Sequence, residues 1–155
     1  MDQAPFQAIY VENDIVARSA NGLFVATHGG HNAESHNHND VGDFIVYDGG
    51  EPVIIDVGRG TYTYKMFRGD RYAIWFNNSA YHNLPTINGH VQPHGRTAEA
   101  TEVRHQTYGS GDAEVSMNIG TAYPSAAGIN RWERTVRMTP TSGIVVRGLT
   151  DGVSP

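Results

Sequence analysis

The chain contains no cysteine. Disulfides, thiolate metal sites and cysteine nucleophiles are thereby excluded, and any metal must be held by histidine and carboxylate. Leucine is scarce as well, with three residues against 24 valines and isoleucines and 12 threonines. β-Branched side chains lose rotamer freedom in helices and suit pleated strands, so a helical bundle is excluded. No stretch approaches the roughly 18 apolar residues that a membrane-crossing helix needs. Lysine occurs once, at Lys65, and the net charge of −5 argues against a broad basic footprint for nucleic acid. The opening residues, MDQAPFQAIYVEND, have neither the basic residue nor the apolar run of a secretory leader.

What is present points to an all-β chain. The 155 residues suffice for one domain with its own core but are too few for two of ordinary size. Short or alternating apolar runs recur at 6–11, 14–17, 23–27, 43–47, 52–57, 97–105, 114–123, 131–138 and 144–149. Turn formers such as Asn21-Gly22, Asp48-Gly49-Gly50, Asn88-Gly89 and Gly109-Ser110-Gly111 separate them. Strands at this spacing predict an antiparallel β-sandwich or barrel, with the strongest hairpin across Asp48-Gly49-Gly50. Only 67–76 could form a helical turn. Strand-like sequence begins at Phe6 and a turn signal falls at 148–155, so residues 1–155 read as a single domain excised from a longer protein.

Arg59, Lys65, Arg68 and Arg71 lie within 13 residues, opposed only by Asp70. A guanidinium grips carboxylate or sulfate bidentately, so an anionic ligand is compatible with an acidic protein; solvated strand-edge charges are the alternative.

Four of the eight histidines fall between positions 28 and 38. On an extended segment His36, His38 and Asp40 would project from one face, placing three ligands or acid/base groups on one surface. Imidazole and carboxylate suit zinc. Asp56, which closes the apolar run 52–55, reads equally as a ligand or as a turn residue before Gly58. His82 is a further candidate ligand.

At these residues the sequence resembles the β-sandwich domain of the heparinase II/III-like polysaccharide lyases, which include lyases of glycosaminoglycans and of alginate. The resemblance rests on Ser35-His36-Asn37-His38-Asn39-Asp40-Val41-Gly42-Asp43-Phe44, on Pro52-Val53-Ile54-Ile55-Asp56-Val57-Gly58 with Tyr62, and on Ser79-Ala80-Tyr81-His82-Asn83 with Asn88-Gly89. It covers 28–90 well and the other strands only in character. It implies a sandwich of the super-sandwich type and a divalent metal, zinc foremost, on His38, Asp56 and His82. His36 would face the sugar as a catalytic or carboxylate-neutralising group, with Tyr72 close by. The resemblance also implies an anionic, uronic-acid-containing polysaccharide as substrate and a periplasmic or secreted location. In such lyases an α-helical toroid supplies further catalytic residues across a cleft. No helical region of that kind exists in this sequence, so the fragment alone is expected to bind metal with low or absent activity.

The residue types fit that chemistry. β-Elimination across C4 and C5 of a uronic acid needs neutralisation of the carboxylate, a base for the C5 proton and an acid for the leaving oxygen. His36 and Tyr72 could exchange protons, while Asn37, Arg68 and Arg71 could hold the anionic groups. Two other readings compete. Gly30, His36, His38, Asp43 and Gly50 approximate a first cupin motif, which would put iron or manganese on both His36 and His38, but the second motif is missing. A noncatalytic carbohydrate-binding sandwich would use Tyr62, Tyr64, Tyr72, Trp75 and Phe76 as stacking platforms, although Trp75 and Phe76 read better as core. His28 and His31 read as glycine-rich loop residues, and His90, His94 and His105 as exposed and without a role.

Overall fold

The structure, a computed structural model, describes residues 6–11, 14–19, 21–61, 63–139 and 143–151. Tyr62 and the terminal turn signal at 152–155 lie outside these residues. Among these residues are eleven strands, arranged as an antiparallel sandwich with a small ribbon: β1 (Phe6–Val11), β2 (Asp14–Ser19), β3 (Phe24–His28), β4 (His31–Asn32), β5 (Phe44–Asp48), β6 (Glu51–Ile54), β7 (Gly95–Glu99), β8 (Thr101–Thr107), β9 (Ala113–Asn118), β10 (Trp132–Thr139) and β11 (Gly143–Thr150). One sheet has the order β1-β2-β3-β5-β6, the second β11-β10-β9-β8, and β4 pairs with β7 in a separate two-stranded ribbon. No helix among the described residues is long and apolar enough to cross a membrane.

Alternation along the strands builds the core. Ile15, Ala17, Val25 and Val46 of the first sheet belong to one buried cluster with Val115, Met117, Val136 and Met138 of the second. Each buried Val, Ile or Met side chain among them contributes about 1.5–3 kcal/mol of apolar burial. Val41, Ile119, Ala122 and Tyr123 extend the cluster towards the histidine-bearing loop. There Gly42 is at φ +91°, and a Cβ would lie 2.7 Å from Ile119 Cγ2, so both backbone and packing require glycine. The β5–β6 hairpin turns through Gly49 and Gly50 at φ +59° and +89°, the paired positive values that the Asp-Gly-Gly signal predicts.

Four expectations need correction. The run 97–105 is not one strand: it breaks at Ala100 into β7 and β8, which serve different sheets. The run 114–123 leaves the sheet after Asn118 and closes in a 3-10 turn at Gly120–Ala122. The run 52–57 is strand only to Ile54, and β6 is exposed along its length because it is an edge strand with no partner on its outer side among the described residues. The segment carrying His36, His38 and Asp40 is not extended. It is a succession of turns in which His36 adopts φ 62°, so the three do not share a strand face.

Candidate metal centre and active-site groove

The loop between β4 and β5 has no ladder of its own, so side chains must satisfy its backbone. Asn32 Oδ1 accepts the Asp40 amide at 3.1 Å, and Gln92 Nε2 donates to Val41 O at 2.8 Å. Asn32 also donates to Gln92 Oε1 and Pro93 O, Ser79 Oγ accepts the Gln92 amide, and the Asn39 amide donates to Asn77 O. Asn32, Asn39, Asn77, Ser79 and Gln92 are all buried. This amide network fixes the loop from beneath and was missed in the sequence. Its only prior signal is the density of Asn and Gln beside the histidine motifs.

From this platform His38 turns inward and His36 outward. The His38 ring lies 5.2 Å from the His82 ring and 6.0 Å from Phe76. His82 closes a run of short 3-10 turns (Tyr64–Phe67, Arg71–Ala73, Trp75–Asn77 and Ser79–Tyr81), more helical turns than the single one expected in 67–76. Asp56 arrives just beyond β6. Its Oδ2 accepts the Gly58 amide at 3.1 Å while its Oδ1 lies 2.5 Å from His82 Nδ1. One oxygen of the Asp56 carboxylate thus makes the turn contact, and the other faces His82.

One nitrogen or oxygen from each of His38, Asp56 and His82 lies within 4.8 Å of the others. No other group of three His or carboxylate residues among the described residues comes together in this way. The His82 side chain is sealed from solvent, and its Nε2 has no hydrogen-bond partner. A buried ring nitrogen left unsatisfied costs about 1–3 kcal/mol, which a cation would recover. Two imidazoles and a carboxylate form a borderline donor set suited to zinc. The residues therefore fit a divalent ion.

The electrostatics follow from burial and pairing. Burial lowers the His38 pKa, only partly offset by Asp40 and Asp56, which favours the neutral imidazole a ligand must present. Burial opposes charge on both Asp56 and His82, yet their mutual contact prevails, lowering the pKa of Asp56 and raising that of His82. Asp43, buried and beside the charge of Asp56, is pushed up to about 7. Its Oδ1 accepts the Asn83 amide at 2.8 Å. Asn83 Nδ2 in turn donates to Phe44 O and Ile55 O, tying β5 to the segment that delivers Asp56.

His36 stands apart from the triad, exposed, on the rim shared by two hollows. One, of ≈ 300 Å³, is lined by His38, Asp40, Asp56 and Arg59 among others. The other, of ≈ 220 Å³, is lined by Ser35, Met66, Phe67, Arg68 and Arg71 besides His36. Arg71 Nη2 donates to Asn37 O at 2.7 Å, and the Tyr72 hydroxyl donates to Asn37 Oδ1 at 2.9 Å. Asn37, the residue following His36, therefore ties both Tyr72 and Arg71 to the histidine-bearing loop. Arg68 is exposed, its Nε 3.9 Å from Asp70.

Several expectations about individual residues change. His94 is exposed but stacks on Tyr72, with ring centroids 4.9 Å apart and planes 10° apart, so it is not without contacts. Trp75 is not core; it is 54 % exposed and meets Tyr81 edge to face, whereas Phe76 is buried. His28 ends β3 and lies 4.0 Å from Asp40, and His31 sits in β4 against Arg96, so neither is a bare loop residue. The cupin arrangement is not formed: His36 is outside the cluster that contains His38.

A family model described as Heparinase II/III-like, C-terminal matches residues 16–148. No curated protein matches the chain.

Proposed function

The chain belongs to the heparinase II/III-like, C-terminal family, and from that membership we propose that it is the β-sandwich half of a longer lyase that cleaves uronic-acid-containing polysaccharide by β-elimination. The observation that carries this reading is the placement of His36, solvent-facing on the rim between the hollow beside the His/Asp/His cluster and the hollow lined by Arg68 and Arg71. A sugar ring bridging the two would present its carboxylate to cations and its C5 hydrogen to an imidazole.

Arg68, Arg71 and Asn37 would hold the carboxylate, drawing negative charge away from C5. His36 would remove the C5 proton. The C–H electron pair becomes the C4–C5 double bond, the C4–O bond breaks, and the leaving oxygen takes a proton from Tyr72 Oη. Tyr72 would be held for this by its bond to Asn37 and by the His94 ring. His38, Asp56 and His82 would hold a divalent ion, with zinc foremost among them. When bound, that ion supplies fixed positive charge and cross-links three segments behind His36. The remaining acid/base groups would come from an α-helical partner domain, so the 155 residues alone should show little or no turnover.

The test is the full-length protein incubated with glycosaminoglycan and alginate chains. Formation of an ultraviolet-absorbing 4,5-unsaturated uronate supports the reading, as does its loss in His36→Ala and Tyr72→Phe. Saturated hydrolysis products would overturn it.

A further inference from the structure

The Tyr72 hydroxyl donates to Asn37 Oδ1 at 2.9 Å. The Asn37 amide is held in that orientation, because its Nδ2 donates to His38 O at 2.7 Å. This bond fixes where the phenol oxygen lies. It fixes the plane of the ring only loosely, since a hydrogen bond tolerates a wide range of angle and the ring torsion of tyrosine is broad. The plane matters for chemistry. Conjugation keeps the phenol O–H in the plane of the ring, so a ring that turns also turns the direction in which the hydroxyl gives or takes a proton.

His94 supplies the missing restraint. It lies just before β7 and rests flat on Tyr72, with centroids 4.9 Å apart and planes within 10°. A flat neighbour against one face resists rotation of the ring out of that plane. Both partners stand on the same buried frame. The carbonyl of Pro93, next to His94, accepts Asn32 Nδ2 at 2.9 Å, and Gln92 before it donates to Val41 O. On the other side, Asn77 Nδ2 donates to Arg71 O at 3.0 Å, beside Tyr72, while the Asn77 carbonyl accepts the Asn39 amide. The network that holds the histidine loop therefore also sets the two rings against each other. The stacked arrangement keeps the imidazole nitrogens out of line with the phenol proton, which lies in its own ring plane and is directed at Asn37.

We propose that His94 is a positioning residue that sets the ring plane of Tyr72, acting through its flat ring and not through its nitrogens. The proposal deepens the reading of Tyr72 as the acid of a β-elimination and rests on it. It gives a role to an exposed histidine that makes no contact with the His38, Asp56 and His82 cluster.

The full-length protein with a uronic-acid polysaccharide carries the kinetic test. His94→Ala should lower kcat about 10–100-fold, as a slightly misplaced reacting group does, with KM little changed. His94→Phe, which keeps a flat ring and removes both nitrogens, should restore kcat. His94→Gln, which keeps polar atoms and removes the ring, should not, and this pair carries the comparison if His94→Ala fails to fold. A second readout needs no turnover. With tyrosine rings labelled with carbon-13, and the Tyr72 signal identified by its loss in Tyr72→Phe, the ring protons should lie upfield in the native protein and in His94→Phe and move downfield in His94→Ala and His94→Gln. Unchanged kcat in His94→Ala and His94→Gln overturns the proposal, as does a His94→Phe protein as slow as His94→Gln, which would assign the effect to an imidazole nitrogen. A Tyr72 signal that ignores all three substitutions overturns it as well. Absence of elimination in the native protein removes the lyase reading, and the positioning of Tyr72 then stands or falls on the ring signals.

Discussion

His82 and Asp56 meet Nδ1 to Oδ1 at 2.5 Å, beneath a His82 side chain that solvent does not reach. Each residue depends on this contact, since removing either leaves the other buried and uncompensated. With His38 beside them, one equivalent of divalent metal should copurify with the protein. Elemental analysis should find it lost in His38→Ala, Asp56→Ala and His82→Ala and kept in His36→Ala, whose side chain lies outside the cluster. Chelation should lower the melting temperature of the native protein and leave Asp56→Ala unchanged. Metal retained in all three ligand variants would remove the site.

Asn83 donates no lone pair to that cluster but holds its frame, binding Asp43 through its amide and the carbonyls of Phe44 and Ile55 through its side chain. In Asn83→Ala the segment leading to Asp56 loses its tether to β5. Metal affinity should fall by about 10–100-fold, the range for loss of a supporting hydrogen bond, while one equivalent still binds at saturation. Competition titration against a chromogenic chelator reads this directly. Unchanged affinity would mean that the ligands position themselves.

The contrast between Asp56 and His36 shows how far the sequence could be read. The β5–β6 hairpin was legible because Asp48-Gly49-Gly50 specifies its own turn, and the family motifs marked His38, Asp56 and His82 as a set. The path of the 33–43 loop was not legible. Alternation suggested an extended segment, but the loop is held by Asn32, Asn77 and Gln92, whose hydrogen bonds join positions up to about sixty residues apart and leave no local pattern. The break between β7 and β8 was hidden for a related reason, since the choice of sheet is made by β4 and β9 and not by the run itself. Exposure of β6 escaped notice because a continuous apolar run signals burial only if something covers it.

Gln92 is the most connected member of the amide network, with its side chain on Val41 O and Asn32 and its amide on Ser79 Oγ. Gln92→Leu keeps the volume but strands the Val41 carbonyl away from water and leaves the Asn32 amide only Pro93 O as acceptor. The expected cost is about 2–4 kcal/mol, read as a shift in urea midpoint at constant slope. Gln92→Glu should be less damaging in acid, where the protonated carboxyl can still donate to Val41. A loss below about 0.5 kcal/mol for Leu would show that the loop is held by other contacts.

Tyr123 donates its hydroxyl to Pro85 O at 2.5 Å from within the core, and burial pushes its pKa up to about 12 against an ordinary value of 10.0. The folded protein thus keeps a proton that the unfolded chain releases. Its stabilising contribution is complete below pH 10 and is lost as pH rises towards 12, a change of about 2–3 kcal/mol for a shift of two units. Tyr123→Phe should be somewhat less stable at neutral pH, because Pro85 O loses its donor, but should lose less further stability on the alkaline side. Urea denaturation at intervals from pH 8 to pH 11 should therefore bring the two stability curves together as pH rises. Curves that stay parallel across that interval would mean the phenol ionises as readily in the fold as in the unfolded chain, and that Tyr123 contributes packing alone.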